Sequence, residues 1–180
     1  MSFYIYFSLA AVVGILATYF DLRRREIPNW VTIGGLAAGI LAHAVLGFSF
    51  AGFDAAWRAV AFACVGIGLC AFAPFISFRL SALGGGDVKL LAAIGAICGP
   101  MLGIEAEFYA MLLLAVYCAA TLAYRGKLLR VLGYGLFLFA RPLFKRLRED
   151  AIAPDVLMSV RAAPAILAGL VIATLFHNGI

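Results

Sequence analysis

Residues 2–30 read SFYIYFSLAAVVGILATYFDLRRREIPNW. Positions 2–20 hold no charged residue, and at about 1.5 Å per residue such a run crosses most of a hydrocarbon layer about 30 Å thick. Asp21, Arg23, Arg24, Arg25 and Glu26 then stop it. Ile27-Pro28-Asn29 follows, and because a residue before proline is biased out of the helix, the chain turns there before the next apolar run opens at Trp30. An apolar run, a basic stop, a turn and a second apolar run are the signature of a chain that crosses a membrane more than once.

Working outward, the same punctuation marks six apolar segments: 2–20, 30–50, 59–78, 88–104, 108–124 and 156–176. The fourth and fifth lie near the short limit for a span. The composition agrees, with 66% hydrophobic and 13% charged residues and a mean hydropathy of +1.07. Soluble domains hold about 25% charged residues, so a water-soluble globular class is excluded, and 180 residues leave room for one all-α membrane domain over 1–180. Between the fifth and sixth segments lies a basic stretch, 125–155, whose apolar core 131–140 is too short to span; it reads as an amphipathic segment against anionic lipid on the cytoplasmic face. Charge and periodicity leave three roles for it open: anchoring, substrate recognition, and contact with assembly proteins. The N-terminal run lacks a basic n-region and a small-residue cleavage site, so it is expected to remain as a span.

The net charge of +5 would point to nucleic acid in a soluble protein. Here its placement carries the information. Thirteen of the fourteen Lys and Arg residues fall on the odd-numbered connections, and Arg58 alone falls on the other side, near Asp54. By the positive-inside rule the odd connections face the cytoplasm and both termini face outward. The four cysteines, Cys64, Cys70, Cys98 and Cys118, lie inside apolar runs with no CxxC pair and no His at ligand spacing, so they read as packing residues, and no metal or cofactor is expected.

Acids at a membrane boundary need a reason, since a charged Asp at the centre of a span costs about 2.5–3.5 kcal/mol. Asp21 closes the first span and Asp87 opens the fourth, after Gly84-Gly85-Gly86. The topology sets both at the cytoplasmic ends of their helices. Each has a plain structural reading. Asp21 would pair with Arg25 at i,i+4 if the helix ran on through Glu26, and Asp87 would cap its own helix. Yet three successive glycines exceed the needs of a turn; they admit torsions closed to other residues and leave the main chain bare, so an extended peptide can lie along them. Lys89 does not share the face of Asp87 and reads as a side chain reaching for headgroups. Neither a phosphate loop nor a dinucleotide fingerprint is present. Mid-span His43 reads as a hydrogen-bonded interior residue, with a proton-relay role as the alternative.

Two carboxylates within a few ångströms cannot both ionise cheaply, so they titrate as a pair. Such a pair can activate water with one member as base while the other donates to a carbonyl oxygen. Asp21 with Ile27-Pro28-Asn29, and Gly84-Gly85-Gly86-Asp87 continuing as Val88-Lys89-Leu90-Leu91-Ala92-Ala93 toward Gly99-Pro100, resemble the two aspartate motifs of the type IV prepilin peptidases, membrane proteases with a GxGD signature. The resemblance covers essentially the whole chain. It implies the six-span fold shared with archaeal preflagellin peptidases and, more distantly, presenilin-like proteases. It implies Asp21 and Asp87 as catalytic residues, Gly84, Gly85 and Gly86 as the substrate-binding segment, no cofactor, and a prepilin or pseudopilin helix as substrate, with pilus assembly machinery as a further partner and nucleic acid as none. Long members carry a cytoplasmic insertion with paired cysteines, linked to N-methylation, after the first span. Here only 22–29 separate the first two spans, so the chain looks like the short, peptidase-only form of Flp-type pilus systems in the bacterial inner membrane. Residues 161–165, RAAPA, loosely match a proline-containing family segment; Arg161 either orients a substrate acid or reaches for the inner surface, and the second reading is preferred. The rival function is a small proton- or cation-coupled transporter with aspartates at its inner mouth, which predicts polar or ionisable residues near the bilayer midplane and interrupted helices in matched halves; His43 lies mid-span, but no acid does.

Overall fold

The computed structural model describes residues 2–79, 83–126 and 161–177. These residues form four helices and, among them, no strand: α1 (Ser2–Arg24), α2 (Asn29–Arg79), α3 (Gly85–Tyr124) and α4 (Ala163–His177). Four stretches are long and apolar enough to cross a membrane: Tyr4–Arg24, Asn29–Phe50, Gly52–Arg79 and Gly85–Tyr124. The all-helical polytopic expectation therefore holds. The basic segment 125–155 and the first residues of the sixth expected span lie, from 127 to 160, outside the described residues.

Two of the helices are bent double. In α2, Gly52 has φ 76°, and a Cβ placed on Gly47 would lie 2.8 Å from the Cα of Ala56. Nine residues along a straight helix span about 13 Å, so the chain reverses at Gly52. In α3, Gly99 takes φ 77° and ψ 179°, and a Cβ on Gly103 would lie 3.2 Å from the Cα of Gly95. Eight residues of straight helix would separate them by about 12 Å, so α3 reverses at Gly99-Pro100. Pro100 has no N–H to offer the preceding turn, and Gly99 supplies a torsion closed to other residues.

This corrects the expected boundary between the fourth and fifth segments, which had been set at Glu105 and Glu107. Both acids are helical, and Glu107 is buried, 8% exposed. Charge misplaces the turn because a backbone break depends on torsion and a missing donor, whereas a carboxyl can be carried inside a helix bundle if protein surrounds it.

By contacts the chain divides into a unit of Met1–Leu113 with Arg161–Ile180 and a second of Leu114–Val160. In the second, the described part is the end of α3 and the turn after it, where Gly126 has φ 65° and the Thr121 hydroxyl bonds the Tyr117 carbonyl at 2.7 Å. The first unit is built around the opening half of α3, in which every residue from Leu90 to Ile97 is buried. A helix apolar on all sides belongs at the centre of a bundle. Small residues let its neighbours approach. Gly39 sits against the backbone of Ala96 and Ile97 at 2.9 Å from its would-be Cβ, and Gly66 and Gly95 bring the backbones of α2 and α3 into contact. Gly35 receives Val13 of α1, Gly14 receives Leu167 of α4, and Gly169 of α4 packs on Ala106 and Ala110. Close backbone approach at small residues is the usual source of cohesion in lipid, where burial of apolar surface gives little. Outside, large apolar side chains of this unit such as Ile15, Trp30, Phe53 and Phe72 are exposed.

The break in α3 is closed by a side chain. His43 Nε2 lies 3.1 Å from the Ile97 carbonyl oxygen, and its ring stacks on Tyr6 at 4.3 Å. That carbonyl lies two residues before the reversal, and the imidazole N–H of α2 gives it a partner there. The interior hydrogen-bonding role expected of His43 is the one observed.

Candidate active site

One end of the first unit gathers the C-terminus of α1, the N-termini of α2, α3 and α4, and the end of α2. Helix α1 stops because Arg25 takes a left-handed φ of 57°, while its N–H still bonds the Asp21 carbonyl at 3.0 Å. Ile27-Pro28 redirects the chain. The Pro28 carbonyl accepts the Val31 N–H at 3.0 Å and the Asn29 carbonyl accepts the Thr32 hydroxyl at 3.1 Å, so α2 begins with its first turn anchored.

Asp21, one turn from the end of α1, is 8% exposed. It faces the start of α4, where Ala162 and Ala163 are buried at 3% and 0% exposure. Small side chains there leave room for the carboxylate, and the Ala163 backbone N–H and the charge of Arg161 lie near enough to act on it. This N–H is one of those a helix cannot use in its first turn, and Pro164 beside it needs no partner at all. Among the described residues, Arg161 is the cation whose charge acts on Asp21, and the pairing with Arg25 expected from i,i+4 spacing does not form because α1 ends before Arg25. Among the described residues, Asp21 Oδ2 and Thr18 Oγ1 are the buried side-chain oxygens without a hydrogen-bond partner. They lie three residues apart on one face of α1.

Asp87 is the third residue of α3. Its N–H bonds the Gly84 carbonyl at 3.1 Å, and its carboxylate lies beside Gly84, with Oδ2 3.1 Å from that residue's would-be Cβ. In the first turn of α3 the carboxylate is beside the N–H groups that a helix leaves unused at its start. The plain reading of Asp87 as a cap is therefore realised, and it coexists with a second relation: the charge of Asp21 acts on Asp87. Packing brings the two motifs together. A Cβ on Gly86 would lie 3.3 Å from the Cβ of Ile27, and Lys89 Nζ donates to Asn29 Oδ1 at 2.8 Å. Lys89 thus ties the start of α3 to the start of α2, where the sequence reading had sent it to the headgroups.

The three glycines differ from one another. Gly85 and Gly86 are helical, with Gly85 against the Phe78 ring at 3.4 Å from its would-be Cβ. Among the described residues, positive φ occurs in Gly52, Gly99, Gly126 and Arg25 and not in this segment. The expected torsional freedom of Gly84–Gly86 is not used; Gly85 and Gly86 serve close approach, and Gly84 alone is exposed.

Arg161, the Ala163 N–H and the Lys89–Asn29 bond are the parts that sequence reading missed or assigned elsewhere. A run of small residues followed by proline, RAAPA, was the signal available for the first two. Among the described residues no group of three His, Cys, Asp or Glu side chains is arranged to hold a metal ion, and all four cysteines are free. Away from this end, Glu105 pairs with His177 at 3.3 Å.

The sequence profile of the type IV leader peptidase family matches residues 8–119. A preflagellin peptidase of Methanocaldococcus jannaschii is 33% identical over 91 residues, which are 51% of this chain and 37% of the relative. The chain therefore spans well under half the length of that relative. No solved structure matches significantly.

Proposed function

This chain belongs to the type IV leader peptidase family, and from that premise we propose that it is an aspartic endopeptidase that removes the basic leader of an Flp-type prepilin at the cytoplasmic boundary of the bacterial inner membrane. What supports the reading is that Asp21 and Asp87, from opposite ends of different helices, fall at one end of one packed unit, near enough for the charge of one to act on the other. In the proposed reaction one carboxylate takes a proton from water as the water oxygen attacks the scissile carbonyl carbon, and the other carboxyl donates to the carbonyl oxygen. The leader, being basic, stays on the cytoplasmic side, and the apolar helix behind it enters from the bilayer. Its scissile amide must first leave the helix, because a helical carbonyl is already hydrogen-bonded and shielded. Gly84, exposed and next to the carboxylate of Asp87, is the main-chain surface against which the unwound peptide would lie.

Two further elements rest on the sequence. The short 22–29 connection and the absence of CxxC support cleavage without methylation, and the distribution of Lys and Arg supports an inward-facing site with both termini outside. The transporter reading gains one observation, the buried Glu107 inside α3; among the described residues no second acid is shown acting on it, and Asp21 and Asp87 lie elsewhere. Co-expression with a small pilin-like protein, followed by mass measurement of that protein's N-terminus, tests the proposal. A terminus shortened after a basic leader and bearing no added methyl is the expected result; an unprocessed terminus, with flux across liposomes that depends on Glu107, would replace it.

A further inference from the structure

Gly14, Thr18 and Asp21 stand at i, i+4 and i+7 along α1, and residues at that spacing share one face of a helix. This face lies on α4. Leu167 Cδ1 is 2.9 Å from the would-be Cβ of Gly14, and because α4 starts at the end where α1 stops, the two helices run in opposite directions. One turn on from that contact α1 reaches Thr18, and α4 followed back reaches Ala163. Ala162 and Ala163 are buried, so small side chains line α4 at this level. Five other hydroxyls on these helices, those of Thr32, Ser49, Ser77, Thr121 and Thr174, bond back to a carbonyl three or four residues earlier at 2.7–3.1 Å, which is the ordinary way for a helix to satisfy them. Thr18 differs. Its Oγ1 is buried and has no partner among the described residues, and Oδ2 of Asp21, three residues on, is in the same condition. Two neighbouring buried oxygens left unpaired are costly. A hydroxyl can donate and a carboxylate can accept. At this spacing the Cβ atoms lie about 5–6 Å apart, and two O–H···O bonds of about 2.8 Å each close such a gap through one water, for which two polar partners suffice.

We propose that Thr18 is a positioning residue: its hydroxyl and Asp21 Oδ2 hold one water between them, and that water fixes the plane of the Asp21 carboxylate so that its other oxygen faces the substrate. The inference rests on the peptidase reading of Asp21. The held water is separate from the one that attacks the scissile carbonyl, because both oxygens that hold it are shut off from solvent. Thr18 touches neither substrate nor the attacking water, and it acts through Asp21 alone. Without the held water the carboxylate can turn about its bond to Cβ, and a base that is turned away from the attacking water transfers protons in fewer encounters.

Purified protein is assayed on a leader-bearing pilin beside Thr18→Val, which keeps the shape and loses the hydroxyl, and Thr18→Ser, which keeps the hydroxyl and loses the methyl. Thr18→Val should lower kcat about tenfold, the worth of one hydrogen bond on a charged group, and leave KM unchanged. Thr18→Ser should cleave within about twofold of the unaltered protein. In single turnover, Thr18→Val added to Asp21→Asn should cost nothing further, since Thr18 acts only through Asp21. If Thr18→Val does not insert, Thr18→Ser and Thr18→Ala decide the matter, because they differ only by the oxygen; Thr18→Ala should be the slower by about fivefold or more, and equal rates overturn the proposal. A Thr18→Val protein that melts higher and keeps its kcat also overturns it, since exchanging an idle buried hydroxyl for a methyl is stabilising. A loss that Thr18→Ser shares in full overturns it too, and leaves Thr18 as packing. Failure of the peptidase reading looks different: Asp21→Asn or Asp87→Asn would still cleave.

Discussion

Replacing Gly99 with alanine should damage this protein more than the same change at Gly52 or Gly34, and the structure gives the components of the cost. Gly99 sits at φ 77° and ψ 179°, a region that residues with a Cβ enter at about 1–3 kcal/mol. A Cβ there would also run into the ring of Phe62, which is 46% exposed and must turn out of its rotamer at about 0.5–1.5 kcal/mol more. Together the loss is about 1.5–4.5 kcal/mol, or roughly 10 °C in apparent transition temperature for a chain of this size. Two other glycines serve as internal standards. Gly52 has φ 76° but nothing within 4 Å of its would-be Cβ, so Gly52→Ala should show the torsional part alone, about 1–2 kcal/mol. Gly34 also has nothing within 4 Å and an ordinary helical φ, so Gly34→Ala should be neutral or stabilising by up to about 1 kcal/mol. The three variants are compared in one detergent at one scan rate, since unfolding of such proteins is often irreversible. Adding Phe62→Leu to Gly99→Ala should recover the packing part and leave a deficit close to that of Gly52→Ala. If Gly99→Ala instead behaves like Gly34→Ala, α3 does not reverse at Gly99, and the packing of its two halves is wrong.

Three further outcomes are expected. Lys89→Met and Asn29→Ala should each slow leader cleavage about fivefold, the worth of one charged hydrogen bond of roughly 1 kcal/mol, and the double variant should be no slower than either; additive losses would mean that the two side chains act separately. His43→Phe keeps a ring against Tyr6 but strands the Ile97 carbonyl, so it should lower stability by about 1–3 kcal/mol in a thermal melt while cleavage at low temperature is unchanged; loss of cleavage in folded protein would move His43 into the chemistry. Glu107→Gln should leave cleavage intact, as measured by gel shift of the processed pilin, and a loss there would bring a second carboxyl into the mechanism.

Much of the fold was legible because lipid leaves few choices. The apolar run 2–20, its arginine stop and the Pro28 turn admit only a span followed by a return, and the helices found there differ from expectation by a few residues. The break in α3 was not legible from charge. Glu105 and Glu107 looked like a connection, yet a bundle interior carries Glu107, while Gly99-Pro100, apolar by side chain, is where the backbone fails to continue. Of the candidate site, Asp21 and Asp87 could be singled out, because acids at span boundaries require a reason. Their neighbours could not. Arg161 and Ala163 reach Asp21 across 140 residues of chain by helix packing, and Lys89 finds Asn29 across a separation of 60; local spacing had offered Arg25 and the headgroups instead. Spacing along a helix ranks partners within one element, and it is silent about the element packed alongside.

The central claim is that Asp21 and Asp87 act as one unit. Single-turnover cleavage of a leader-bearing pilin by purified, correctly inserted Asp21→Asn, Asp87→Asn and the double variant measures it most directly. Residues acting together are grossly non-additive, so each single variant should lose at least about a thousandfold in rate and the double should lose no more than either. A single variant that cleaves at the rate of the unaltered protein would contradict the account.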